Sequence, residues 1–335
     1  MSVVSPVRPT EAIDPATLLA DLEAGRLRAA EPDESSRDGW RVRPEVKAAI
    51  IALFGDRTGG DRMSALIDTS AAAAVVDASI DASTLLADLE SGRLRAAEPD
   101  ADAPGSWRVR PDVKAAILGL FADRTSRDWS VGPFWFRDRA AVPPRDLAAG
   151  DGAWRVVPGG TAIRSGAHLG DGVVVMPPSY VNVGAWVGEG TMVDSHVLVG
   201  SCAQIGARVH LAAGVLIGGV LEPPGARPVI VEDDAFVGAG SCLLEGVLVR
   251  SGAVIGAGVT LTGTSRLYDL VRDRVLQGTI EAPLAVPAGA VIVPGSRTLS
   301  GAFAAEHGLS IATALIVKHR DEGTDARVAL ESALR

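Results

Sequence analysis

Cysteine, aromatic rings and positive charge are all scarce in this chain of 335 residues. Its two cysteines, Cys202 and Cys242, supply neither a disulfide framework nor the clustered thiolates of a structural metal site, which suits a reducing compartment. Aromatic residues make up 4% of the sequence against 47% for hydrophobic residues as a whole, so the interior must be built from small aliphatic side chains. The net charge of -9 argues against broad binding to nucleic acid or to an anionic membrane. No apolar run approaches the roughly 18 residues that would span a bilayer. The opening MSVVSPVRPTEAIDP also lacks the apolar stretch of a signal peptide. These absences predict a cytoplasmic protein whose partners are small molecules or other proteins, with no nucleic acid and no membrane among them.

Glycine (38) and proline (20) are abundant, and both favour turns. Two repeats account for them. The first is long: DPATLLADLEAGRLRAAEPDESSRDGWRVRPEVKAAIIALFGDRT, from Asp14, returns from Asp81 as DASTLLADLESGRLRAAEPDADAPGSWRVRPDVKAAILGLFADRT. Each copy has apolar residues at helical spacing (Leu18, Leu19, Leu22), a glycine break, an extended Trp-Arg-Val piece, and a second helical pattern opened by Pro44 or Pro111. A small helical module is therefore predicted twice, joined by a linker over residues 58–79.

The second repeat is six residues long. Aliphatic side chains recur at Ile163, Leu169, Val175, Val181, Val187, Val193, Val199, Ile205, Leu211 and Ile217. After the loop LEPPGARP they resume at Val231, Val237, Leu243, Val249, Ile255 and Leu261. A period of six fits neither a helix of 3.6 residues per turn nor the alternation of an ordinary strand; it fits a parallel β-helix of short strands joined by turns. Each aliphatic residue then points into a narrow interior and stacks on its equivalents one coil away. The residue after Val193, Asp194, must consequently face outward.

The segments MPPSYVNVGAWVGEGTMVDSHVLVGSCAQIGARVHL and IGGVLEP, with WRVVPGG, VIVEDDAFVGAGS, SRLYD and the C-terminal ALIVKHRDEGTDARVALESALR, resemble the tetrahydrodipicolinate N-succinyltransferases, hexapeptide-repeat acyltransferases of lysine and diaminopimelate synthesis. The resemblance runs from about residue 135 to the end and reaches the helical module, which that family carries once. It implies left-handed coiling for the parallel β-helix; with the duplicated helical module ahead of it, the chain is expected to divide as 1–66 (first helical module), 67–145 (linker and second helical module), 146–295 (left-handed parallel β-helix) and 296–335 (C-terminal extension). It also implies a homotrimer with active sites between neighbouring prisms, and no permanently bound cofactor or metal. Succinyl-CoA, or another acyl-CoA, would be the co-substrate. The acceptor would be an amino dicarboxylate, the ring-opened form of tetrahydrodipicolinate.

By the same resemblance Asp194 matches the catalytic, substrate-contacting aspartate, and Arg155 an arginine suited to a substrate carboxylate. Where the family segment is expected to read GARSEVVEG, this chain has GAGSCLLEG at 238–246. Gly240 replaces an arginine, Cys242 replaces a glutamate, and Glu245 keeps the later acid. Cys242 reads either as a small wall residue or as a thiol at the chemistry. His196, two residues past Asp194, adds a group able to act as a base near neutral pH. Lys318, Arg320 and Arg327, with His319, form a basic cluster suited to the donor's phosphates.

Three rival readings come from other classes. The substituted site residues are open to acylation of a different amine in secondary metabolism. His168, His196 and His210 raise the possibility of a zinc site, though at separations of 28 and 14 residues they form no coherent ligand set. The prism could also serve only as a trimerisation core that displays the modules.

Overall fold

The computed structural model describes residues 17–23, 27, 28, 30–32, 40–43, 45, 46, 49, 80–131, 134–148 and 152–320. The chain divides into two compact units, Met1–Asp68 and Thr69–Arg335. The linker expected over 58–79 and the basic residue Arg327 lie outside the described residues.

The first unit contains helix α1 (Leu18–Glu23) and an antiparallel pair in which Ala30–Pro32 bonds Trp40–Val42. Leu18 and Val46 are buried in it. The second unit opens with the same arrangement: helix α2 (Leu85–Glu90), strands Ala97–Pro99 and Trp107–Val109 paired antiparallel, and helix α3 (Pro111–Ala122). Pro111 stands at the start of α3, where its fixed φ is already helical and its missing N–H costs no bond. Leu85, Leu89, Val113 and Ile117, the apolar positions of the two helical patterns, are buried together. The strand Ala97–Pro99, paired with the Trp-Arg-Val piece, completes a hairpin. A second hairpin, Ser126–Val131 with Phe134–Arg139, leads to the repeats.

From Arg155 the chain forms two-residue strands that join three parallel sheets. Val175 pairs with Val193 in register, then Val193 with Leu211, so each coil takes eighteen residues and three hexads. The first wall carries strands Arg155–Val156, Val174–Val175, Met192–Val193, His210–Leu211, Phe236–Val237 and Val254–Ile255. The second runs from Ala162–Ile163 to Thr260–Leu261, and the third from His168–Leu169 to Ala285–Val286. Every aliphatic residue of the six-residue pattern is buried in one continuous core. Burying each contributes roughly 1.5–3 kcal/mol, which is how strands this short persist.

The pattern continues past Leu261: Val286 and Ile292, also six apart, occupy the last coil after an insertion that holds the hairpin Arg266–Asp269 with Arg274–Gln277. The strand Ala290–Thr298 then leaves the prism, helix α4 (Ala302–Glu306) reverses the chain, and Ser310–His319 returns antiparallel along it.

Three hydroxyls inside the prism serve its turns. Ser179, Thr191 and Ser241 each donate to a carbonyl 15 residues ahead and accept from an N–H 18 residues ahead, tying the turn of one coil to that of the next.

The second helical module packs on the third wall. His168 and Trp186 stack with ring centroids 3.8 Å apart, Arg95 lies 3.8 Å over Trp186, and the Trp107 indole N–H donates to Glu232 at 2.9 Å.

Candidate functional site

The edge between the first and second walls carries the first candidates. Its turns stack one on another: His196 N–H donates to Pro178 O, Gly214 N–H to Ser195 O, and Gly240 N–H to Ala213 O, at 2.7 to 3.0 Å. Asp194 opens one of these turns directly after the inward Val193, and it is half-buried. Its N–H donates to Leu211 O, its carbonyl accepts from the Ser179 hydroxyl, and its Oδ1 accepts from the Ser195 N–H at 2.7 Å. One carboxylate oxygen is thereby fixed. The other makes no hydrogen bond among the described residues.

His196 is exposed and takes φ +61°, the left-handed conformation that Gly214 (+72°) and Gly240 (+68°) adopt in the turns above it. Histidine tolerates this region better than most side chains, yet glycine is the ordinary choice. Gly240, where the resemblance implied an arginine, thus shares an edge with Asp194 and His196. A side chain there would meet open space.

Arg155 is exposed on the first strand of the first wall. Two strand spacings, about 10 Å, separate that strand from the one bearing Met192 and Val193. Asp194 and Arg155 therefore share one side of the prism, two coils apart.

The remaining predicted residues are not brought to this edge. Cys242 faces outward from the second wall, paired with Leu216 and Thr260 and half-buried. Glu245 is exposed at the next edge, between the second and third walls. It lines a cavity of about 530 Å³ with Glu222, Pro223, Ala226 and Arg227 of the interrupting loop and with Thr264 and Ile280. Lys318, on the last strand, and Arg320, just past its end, lie at the edge between the third and first walls, where Arg320 donates to Gly252 O at 2.9 Å. His168 lies on the third wall against Trp186 and His210 on the first beside Phe236, so the three prism histidines do not converge. Among the described residues no group of three His, Cys, Asp or Glu side chains is placed to hold a metal ion, and no helix is long and apolar enough to cross a membrane.

Several relevant residues escaped the sequence. Arg266 and Arg297 line a second cavity, about 330 Å³, with Thr260, Thr264, Ser265 and Thr313. Two guanidinium groups and four hydroxyls with no carboxylate among the lining residues suit an anion such as a phosphate. The sequence offered only the SRLYD segment as a signal. Lys114 was equally hidden: it occupies a helical position that reads as exposed, yet it is 0% exposed and donates to Pro223 O and Ala226 O. Cys202, in contrast, is plainly structural. It sits among Val183, Ile117 and Leu85, and burial pushes its thiol up to about 12.

Comparison with known proteins follows the same lines. Residues 228–263 match the family model described as "Hexapeptide repeat of succinyl-transferase". The chain is 41% identical to the 2,3,4,5-tetrahydropyridine-2,6-dicarboxylate N-succinyltransferase of Idiomarina loihiensis, over 87% of this chain and 98% of that one. Proteins of the same name from Polynucleobacter asymbioticus (41% identical, 75% of this chain and 87% of that one) and Xylella fastidiosa (39%, 74% and 85%) are similar to it.

Proposed function

The chain belongs to the 2,3,4,5-tetrahydropyridine-2,6-dicarboxylate N-succinyltransferase family, and on that premise we propose a mechanism in which Asp194 is the base. The protein is an acyltransferase, and its reaction is succinyl transfer to the amino group of tetrahydrodipicolinate in its ring-opened form, 2-amino-6-oxopimelate. An acyl-CoA is the co-substrate.

The observation that carries the mechanism is the carboxylate of Asp194, with one oxygen held by the Ser195 N–H and the other open at the prism edge. The acceptor's amine nitrogen attacks the thioester carbonyl of the donor, a C–N bond forms, and the C–S bond breaks. The open oxygen of Asp194 takes the proton that the nitrogen sheds, and CoA leaves as the thiolate. Holding both reactants in line supplies much of the rate, and a well-placed base adds about 10² to 10⁴. Arg155 pairs with a carboxylate of the acceptor, its planar fork matching the two oxygens.

The groove is completed in a homotrimer by the second wall of a neighbouring prism, which brings Glu245 and Cys242 toward Asp194. Glu245 serves there as the second acid and Cys242 as a compact thiol beside the donor, while His196 assists proton transfer next to Asp194. Lys318 and Arg320 meet the donor's phosphates. The cavity lined by Arg266 and Arg297 is a second seat for them, favoured by having no carboxylate in its lining. The enzyme works in the cytoplasm and holds no permanent cofactor.

A thiol-release assay tests this reading directly, with several acyl-CoAs crossed against the cyclic imine and a panel of amino acids. Asp194→Asn is expected to lose at least about a hundredfold in kcat with its fold unchanged. Full turnover in that variant removes Asp194 from the chemistry.

A further inference from the structure

The loop LEPPGARP breaks the hexad rhythm after Ile217, and its shape is imposed from outside the prism. Helix α3 of the second helical module sends Lys114 into it. The ammonium group is fully buried and donates to the carbonyls of Pro223, at 3.2 Å, and Ala226, at 2.7 Å. Those carbonyls belong to one turn, in which Ala226 N–H donates to Pro223 O. On the outgoing side, Arg227 donates to Gly246 O, Pro283 O and Leu284 O. The loop is thus held at its turn by the buried Lys114 and on its outgoing side by the half-buried Arg227, and it forms one wall of the cavity that Glu245 also lines.

We propose that Lys114 is a positioning residue for the acyl-CoA site: by fixing the carbonyls of Pro223 and Ala226 it fixes the cavity wall beside Glu245, against which the donor's arm lies. This assignment rests on the acyltransfer reading above. Lysine is an expensive residue to bury, and burial holds Lys114 down to about 8. An apolar side chain would pack against Cys202 at lower cost, so what the ammonium adds is its grip on the two carbonyls. The helical module is, on this view, part of the donor site as well as an attachment to the prism.

Lys114→Met and Lys114→Arg test the assignment. In the methionine variant KM for the acyl-CoA is expected to rise about tenfold, while kcat and KM for the cyclic imine stay within about twofold. Amide hydrogen exchange should quicken over residues 219–227 but not over the coils from Ile163 to Leu211. The arginine variant, which keeps donors, should recover most of the affinity for the donor. Unchanged KM and unchanged exchange overturn the proposal, and so does an equal loss for both substrates with quickened exchange throughout α3, which marks Lys114 as mere packing.

Should the methionine variant not fold, exchange in the wild-type chain still decides: the Ala226 amide must be protected to a degree comparable with the coil amides, and rapid exchange there overturns the proposal. If no acyl-CoA supports turnover in the wild type, the acyltransfer reading fails separately, and exchange over 219–227 in the variants still shows whether Lys114 holds the loop.

Discussion

The Ser179 hydroxyl donates to the carbonyl of Asp194 at 2.9 Å and accepts from the N–H of Val197 at 3.1 Å, so the turn presenting the carboxylate is bonded from the coil before it. Thr191 makes the same pair of bonds to Gly206 O and Val209 N–H at a different edge of the prism. Ser241 repeats it at a third turn, and of the three only the turn held by Ser179 carries a proposed catalytic group.

Ser179→Ala should cost about 1–3 kcal/mol, because a buried carbonyl and a buried N–H lose their partner. Thr191→Val should cost a similar amount. Only the first should also lower kcat, by about tenfold, through misplacement of Asp194. Denaturant titration paired with steady-state kinetics on both variants separates the two effects, and an equal kcat loss in both denies Ser179 a special role.

His196→Gly is expected to raise the melting temperature, since a φ of +61° costs a non-glycine residue about 1 kcal/mol or more. The same change should lower kcat/KM. A stabler enzyme with full activity identifies the imidazole as a turn residue only.

Iodoacetamide at pH 8 should label Cys242 in the folded protein and spare Cys202 until the protein is denatured. The thiolate is the reactive species, and burial holds the Cys202 thiol up at about 12, whereas Cys242 is half-exposed on the second wall. Mass spectrometry of the peptides reads the outcome. Prior incubation with acyl-CoA should slow labelling of Cys242 if that residue lies beside the donor.

Lys114 makes stability depend on pH in a definite direction. Its folded value of about 8 lies below the ordinary 10.5, so between those values the unfolded chain binds the additional proton and stability rises with pH. Below pH 8 both states are charged and the folded state bears the full cost, roughly 3 kcal/mol. Cys202, which faces Lys114, has the opposite slope from about 9 to 12, because its folded thiol keeps the proton longer. Wild type and Lys114→Met should accordingly diverge, with wild type gaining about 1.4 kcal/mol per pH unit over the variant between pH 8 and 10.5. Parallel curves in urea titrations across that range contradict the assignment.

The prism was legible because a period of six has few physical solutions, and the side chains from Ile163 to Leu261 that express it are all buried. The outward position of Asp194 followed from that of Val193. The last coil was harder to see, since the inserted hairpin separates Leu261 from Val286 by more than three hexads. Lys114 could not be read at all, because helical spacing says which residues share a face but not that a loop 109 residues away will cover one of them. The separation of Asp194 from Glu245 was also invisible: the segments that carry them resemble one site, yet in a single chain they occupy different edges.

A stack of identical coils has no inherent height, and each exposed rim is a template for the next layer. In this chain the strand Ser310–His319 doubles back antiparallel along Ala290–Thr298, and the hairpin Arg266–Asp269 with Arg274–Gln277 adds to its far side, so the first wall ends on strands of mixed sense. A wall finished this way is a poor template for another parallel coil, so the chain itself disfavours end-to-end fusion of prisms, and the fibres it would build, along that wall.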